Sequence, residues 1–123
     1  MLILLLEGIM IMRTFKKIIG GSEKDVYERF PWLEKVEFSD AVVDISEYVL
    51  VWKSGTWENG TWENGIWERG LWKSGTWKDG LWKDGLWKSG TWKNGTWKDG
   101  KMWDNVGQKY VNVTIEDGKF KVI

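Results

Sequence analysis

VWKSG TWENG TWENG IWERG LWKSG TWKDG LWKDG LWKSG TWKNG TWKDG, residues 51–100, is ten consecutive copies of one five-residue unit. Position 1 is Thr or a branched aliphatic, position 2 is always Trp, position 3 is Lys or Glu, and position 5 is always Gly. Position 4 is Ser, Asn, Asp or Arg, and Lys101-Met102-Trp103-Asp104 is a degraded eleventh copy. Such regularity marks a repeat architecture, in which each unit buries its apolar face against its neighbours.

Thr-Trp-Lys has high strand preference, and Asn-Gly or Asp-Gly is the strongest two-residue hairpin signal. On that reading the chain reverses every five residues. Lys53 then lies opposite Thr56, Trp52 opposite Trp57, and Val51 opposite Glu58. Side chains alternate faces along a strand, so all ten Trp fall on one face. A narrow sheet with one indole face curls to bury it. The expected fold is therefore mostly β: an antiparallel meander of about ten very short strands, closed into a shallow Trp-lined barrel. The competing architecture is a parallel β-solenoid with two pentads per ten-residue coil and Trp52 stacked on Trp62. Position 1 reads V, T, T, I, L, T, L, L, T, T, with no period-ten alternation, and this ranks the barrel first.

Residues 1–50 form an N-terminal flank, 51–104 the repeat and 105–123 a C-terminal hairpin, all within one compact domain. Ser22 is an N-cap with Asp25 as its capping-box partner, predicting one short helix over 22–30 with Val26, Tyr27 and Phe30 on one face. Pro31 limits that helix, and a single turn resumes at Trp32–Lys35. Val36–Phe38 and Val42–Trp52 read as extended chain. At the other end Val111, Val113 and Ile115 alternate with polar residues, Asp117-Gly118 supplies a tight turn, and Phe120 and Val122 return. Burial of the ten indoles alone falls short of the entropy lost in ordering the repeat, so both flanks are expected to act as plug or lid.

Composition narrows function. The 123 residues carry 18 basic and 18 acidic side chains, no Cys and no His. The even balance argues against nucleic acid as a partner. Without Cys or His the common nucleophile, general base and transition-metal ligands are missing. Lack of Cys also leans toward a cytoplasmic setting. The apolar run Met1–Met12 is too short to span a bilayer, and its positive charges follow rather than precede it, unlike a signal peptide, so its plain reading is a buried strand or helix. Glu7-Gly8, encoded by purine-rich codons just before Met12, raises Met12 as an alternative start.

The ten indoles, Trp52, Trp57, Trp62, Trp67, Trp72, Trp77, Trp82, Trp87, Trp92 and Trp97, are the candidate ligand-binding residues. In a barrel they either line a channel or fill it. Position 3 is Glu at Glu58, Glu63 and Glu68, then Lys at Lys73, Lys78, Lys83, Lys88, Lys93 and Lys98. In a closed ring this sets an acidic sector beside a basic one that could meet an anionic surface. The plainer reading is solvated charge that opposes aggregation. Asp79, Asp84 and Asp99 precede Gly as in calcium-binding rolls, but only three copies carry Asp there, and turn chemistry accounts for them. No metal and no cofactor is expected. Every candidate acid belongs to an interchangeable unit, whereas catalysis needs one site unlike its neighbours; no enzyme is expected.

The tandem Trp-x-x-Gly pentads resemble those of the short-repeat bacterial β-flower proteins over residues 51–104. That resemblance implies a shallow, near-symmetric barrel of hairpins around an apolar centre. Its analogy to Tubby-like lipid-binding barrels implies a hydrophobic or lipid-like ligand, or a membrane surface. Gly-Thr-Trp-Lys-Asn-Gly is also similar to the core of a MORN repeat, although MORN units are longer. The function expected first is thus a non-catalytic binding module for an apolar ligand. A purely structural or assembly protein comes second, and glycan binding on an open Trp face third.

Overall fold

Each pentad contributes a strand segment, and the segments pair in parallel with partners fifteen residues away. In a computed structural model of the chain, the backbone of residues 2–6 and 9–123 and the side chains from Met12 onward are described. Met1, Glu7 and Gly8, on which the alternative start bears, lie outside the described residues. The elements run β1 (Leu2–Leu6), β2 (Ile9–Ile19), α1 (Glu23–Arg29), β3 (Glu37–Asp44), β4 (Val51–Asn59), β5 (Thr61–Trp62), β6 (Ile66–Trp67), β7 (Leu71–Trp72) and β8 (Thr76–Trp77). They continue with β9 (Leu81–Trp82), β10 (Leu86–Trp87), β11 (Thr91–Trp92), β12 (Thr96–Trp97), β13 (Lys101–Asp104), β14 (Lys109–Glu116) and β15 (Lys119–Val122).

Register defines the coil. Trp52 pairs with Trp67, Trp67 with Trp82 and Trp82 with Trp97 in the first column. Trp57 pairs with Trp72 and Trp72 with Trp87 in the second. Trp62 pairs with Trp77 and Trp77 with Trp92 in the third. Three pentads therefore close one coil, and the fold is a β-solenoid of about three turns. Successive coils are joined by a repeating ladder: Thr76 N–H donates to Gly60 O at 3.0 Å and Lys78 N–H to Trp62 O at 2.9 Å, and the next coil repeats both bonds.

This overturns the antiparallel barrel, and with it the shallow barrel implied by the β-flower resemblance. The two-pentad coil is corrected too, because Trp52 sits on Trp67 and not on Trp62. The reason lies in the turns. A type I′ reversal needs positive φ at both central residues. In the repeat only Gly has it, as at Gly60 (123°), Gly75 (120°) and Gly90 (121°); the described non-glycine residues with positive φ are Asp40, Gln108 and Asp117. With one positive φ the chain turns a corner and keeps its sense around the coil. Asp117 (54°) and Gly118 (75°) supply both, and there the predicted hairpin forms between β14 and β15. Trp52 and Trp57 do touch, at 5.7 Å, but as neighbouring sides of one coil and not as a cross-strand pair.

The N-terminal flank closes the first coil. Ser22 caps α1 as expected: Asp25 N–H donates to Ser22 Oγ at 3.2 Å, and Ser22 N–H donates to Asp25 Oδ2 at 2.8 Å. That second bond holds the Asp25 carboxyl below the usual carboxylate range. A 3-10 turn covers Pro31–Lys35. Strand β3 pairs antiparallel with β4, and β2 pairs in parallel with β3 through the α1 crossover. The strand-or-helix reading of the apolar run stopped at Met12 and so missed most of β2, and the extended segment Val42–Trp52 is broken between Asp44 and Val51. Arg13 of β2 is fully buried; its Nη1 donates to Leu33 O at 3.2 Å, and its guanidinium lies 5.2 Å from the Tyr27 ring centre. Burial pushes the Tyr27 phenol up to about 12.

Both ends of the solenoid carry aromatic caps contributed by the flanks. Trp32 packs on Trp57 and Trp62 at 6.5 and 5.5 Å, and Phe38 packs on Trp52 at 5.6 Å. At the far end Phe120 alone touches the last indole of every column: Trp87 at 5.9, Trp92 at 5.8 and Trp97 at 5.0 Å. Repeat arrays need such caps because the end unit lacks a neighbour. Phe120→Ala should red-shift Trp emission and raise iodide quenching. Because Phe120 is only half-buried, its loss should cost less than about 3 kcal/mol, the lower end of the range for a buried Phe. Unchanged quenching would show that the hairpin does not cover the stacks.

Candidate functional site

The ten candidate indoles come together, but as core. Within each column neighbouring rings lie 4.8–5.0 Å apart and within 3–6° of parallel. That spacing is the distance between hydrogen-bonded strands, so the stacks are offset, the arrangement the ring quadrupole prefers. Between columns the rings meet edge to face at 5.6–6.0 Å. From Trp52 to Trp87 all are at most 2% exposed, Trp97 is 8% exposed, and Trp92 is half-buried. The indoles thus fill the coil interior with ring-to-ring contacts.

The indole N–H groups are poorly served. Trp72 Nε1 donates to Ser89 O and Trp97 Nε1 to Val113 O, both at 3.1 Å. Among the described residues, those of Trp52, Trp57, Trp62, Trp67, Trp77 and Trp82 are buried without a partner.

Position 3 is arranged along the axis, which corrects the expected side-by-side acidic and basic sectors. Glu58 pairs with Lys73 at 3.1 Å, Glu63 with Lys78 at 3.2 Å and Glu68 with Lys53 at 3.5 Å. Each pair joins the first two coils, one in each column. Of the six candidate lysines, Lys73 and Lys78 are thereby engaged. Lys83, Lys88, Lys93 and Lys98 have no carboxylate within ion-pair distance among the described residues, and they distribute over all three faces. They form a sparse basic collar on the C-terminal half, not a continuous patch. Like charges also stack there, Lys73 below Lys88 and Lys78 below Lys93, a mildly unfavourable pairing.

The position-4 acids act in the corners. Asp79, Asp84 and Asp99 each accept the N–H of the following Gly at 2.8 Å, as Asn59 and Asn64 do at 2.9 Å. Among the described residues no group of three or more acids is placed to hold a metal ion.

The recesses lie on the flanks. A groove of about 540 Å³ runs between the 3-10 turn and β5, lined by Pro31, Trp32, Glu34, Lys35, Thr61 and Glu63. A second, of about 350 Å³, lies beside β13 between Lys88, Met102 and Trp103, and Trp87 reaches its wall. Neither groove was read from the sequence: the first joins the repeat to residues 31–35, far from it in the chain, and the second depends on how β13 stacks on β10. No helix among the described residues is long and apolar enough to cross a membrane. No protein family, no characterised protein and no solved structure matches the chain.

Proposed function

We propose that the chain is a non-catalytic structural or assembly protein, a rigid block that acts through its outer faces and edges. The observation that carries this reading is the filled interior. A Trp-lined module for an apolar or lipid-like ligand needs free volume at the centre, and here the three columns touch within and between themselves. Packing at native density makes removal of any ring costly and leaves a ligand no entry. Glycan stacking needs an open indole face, and from Trp52 to Trp87 the indoles present none. The repeat also supports the absence of catalysis, since its carboxylates are spent on ion pairs and corner hydrogen bonds.

Flotation with anionic and with zwitterionic liposomes at low salt tests this reading, together with titration of a fluorescent fatty acid. Both should be blank, with the Trp emission unmoved. Saturable fatty-acid binding that quenches the indoles would overturn the proposal in favour of the ligand module. Salt-sensitive flotation lost on changing Lys83, Lys88, Lys93 and Lys98 to Gln would overturn it in favour of a membrane-surface role.

A further inference from the structure

The eleventh pentad departs from the other ten. Parallel register sets Lys101 over Leu86 and Met102 over Trp87, so Met102 takes the inward place that Trp holds in every other copy. Side chains alternate along a strand, which turns Trp103 outward at position 3, above Lys88. Everywhere else position 3 is Lys or Glu. Trp103 is thus the one indole of residues 51–104 outside the three columns, and it is half-buried.

Its ring is held in place on one side and open on the other. Tyr110, its cross-strand partner on β14, meets it at 5.1 Å and 68°. Trp103 Nε1 donates to Asn105 Oδ1 at 2.8 Å, and Gln108 Nε2 braces Asn105 by donating to its carbonyl at 2.6 Å. On the β10 side of the indole lies the groove of about 350 Å³, with Lys88, Ser89 and Asn105 along it. Lys101 shares the outer face of β13 with Trp103. Lys88 and Lys101 are exposed, and neither has a carboxylate within ion-pair distance among the described residues. The acid next in the chain, Asp104, is turned into its own loop: its Oδ1 accepts from Val106 N–H at 3.0 Å, and Lys109 lies opposite it in register. A cross-strand aromatic pair stabilises β13 against β14 by itself. It does not account for the recess beside the ring or for the two unpaired ammoniums that flank it.

We infer that this face binds an acidic oligosaccharide, a chain of sugar rings that carry carboxylates. A pyranose presents a face of weakly positive C–H groups, which fits the negative face of an indole. Lys88 and Lys101 would take carboxylates on either side of the stacked ring, and Ser89 and the Asn105 amide would meet hydroxyls. Single-stranded nucleic acid also stacks on aromatic rings, but it needs a basic groove that tracks its backbone. Here the ring has two ammoniums beside it, in a chain of zero net charge. The inference goes beyond the structural reading and does not depend on it, because Trp103 lies outside the filled interior.

Titration calorimetry of the full chain with hexagalacturonate, cellohexaose and a thymidine hexanucleotide at low salt tests this, together with the indole N–H resonances of the ¹⁵N-labelled protein. Hexagalacturonate should bind saturably and more weakly as salt rises, and it should shift the Trp103 resonance while those of Trp62 and Trp77 stay in place. Trp103→Ala should weaken binding about tenfold or more, and Lys88→Gln and Lys101→Gln about threefold each. Circular dichroism checks that each variant is folded. Should Trp103→Ala unfold, the K88Q/K101Q double variant decides, since the inference requires it to lose most of the affinity. Absence of hexagalacturonate binding at millimolar concentration overturns the inference, and so does binding that survives Trp103→Ala in a folded chain. Equal affinity for cellohexaose would take away the acidic class, and equal affinity for the hexanucleotide would make the face a general polyanion surface; either result also overturns it. All four leave the structural reading standing, because that reading falls only to ligands that enter the interior or to membrane binding.

Discussion

Trp77→Ala should cost about 3–5 kcal/mol, at the upper end of that range. Trp77 is fully buried, and its walls are other indoles: Trp62 and Trp92 stacked at 4.9 and 5.0 Å, and Trp72 and Trp82 edge-on at 6.0 and 5.8 Å. Those rings are fixed by their own stacks and backbone ladders, so none can collapse into the hole, and the cost rises with the cavity that remains. The neighbouring Lys78→Ala should cost almost nothing. Its ammonium is well exposed and makes one surface ion pair with Glu63 at 3.2 Å, a class worth about 0–1 kcal/mol. Denaturant melts of the two variants measure the contrast. The wild type should show strong exciton circular dichroism from indoles held 4.8–5.0 Å apart. If Trp77→Ala melts with wild type while emission lies near that of free indole, the Trp face is open to solvent. The function would then move to an aromatic platform for glycans.

The strand-corner character of the pentad was legible because Trp, Gly and the β-branched residues each act locally. The sense of the turn was not, because Asn-Gly and Asp-Gly support either a reversal or a corner. The choice depends on whether position 4 takes positive φ, and here the inter-coil ladder holds it out of that region. The coil length was nonetheless written in the sequence at period fifteen. In position 1 the third column is Thr61, Thr76 and Thr91, while the first is Val51, Ile66, Leu81 and Thr96. In position 3 every Glu stands fifteen residues from a Lys: 53 with 68, 58 with 73, and 63 with 78. A search restricted to period ten passes over both signals. The hairpin and the helix were legible in full, since Asp117-Gly118 and the Ser22–Asp25 box are complete local devices. The β5 groove was not, because it exists only where residues 31–35 meet residues 60–63.

Gly75→Ala should be among the most damaging small substitutions in the chain, costing more than about 4 kcal/mol. Two effects add. The φ of Gly75 is +120°, a conformation L side chains rarely adopt, and such strain alone costs about 1–3 kcal/mol. A Cβ there would also overlap the carbonyl oxygen of Gly60, one coil below. That oxygen is backbone and cannot swing aside. It is held by the bond from Thr76 N–H at 3.0 Å, while Gly75 O accepts from Thr91 N–H at 2.9 Å. Relieving the clash therefore means parting two coils at a corner and lifting Trp77 off Trp62. Gly118→Ala separates the two effects. Its φ is +75°, yet nothing lies within 4 Å of the added Cβ, so only strain of about 1–2 kcal/mol remains. Parallel thermal and denaturant melts, with hydrogen exchange at Thr76 and Thr91, measure both. Gly75→Ala should expose those two amides and lower the midpoint steeply, whereas Gly118→Ala should leave them protected. Equal losses in the two variants would mean that φ alone requires glycine at the corners, and that the coils do not meet there through backbone contact.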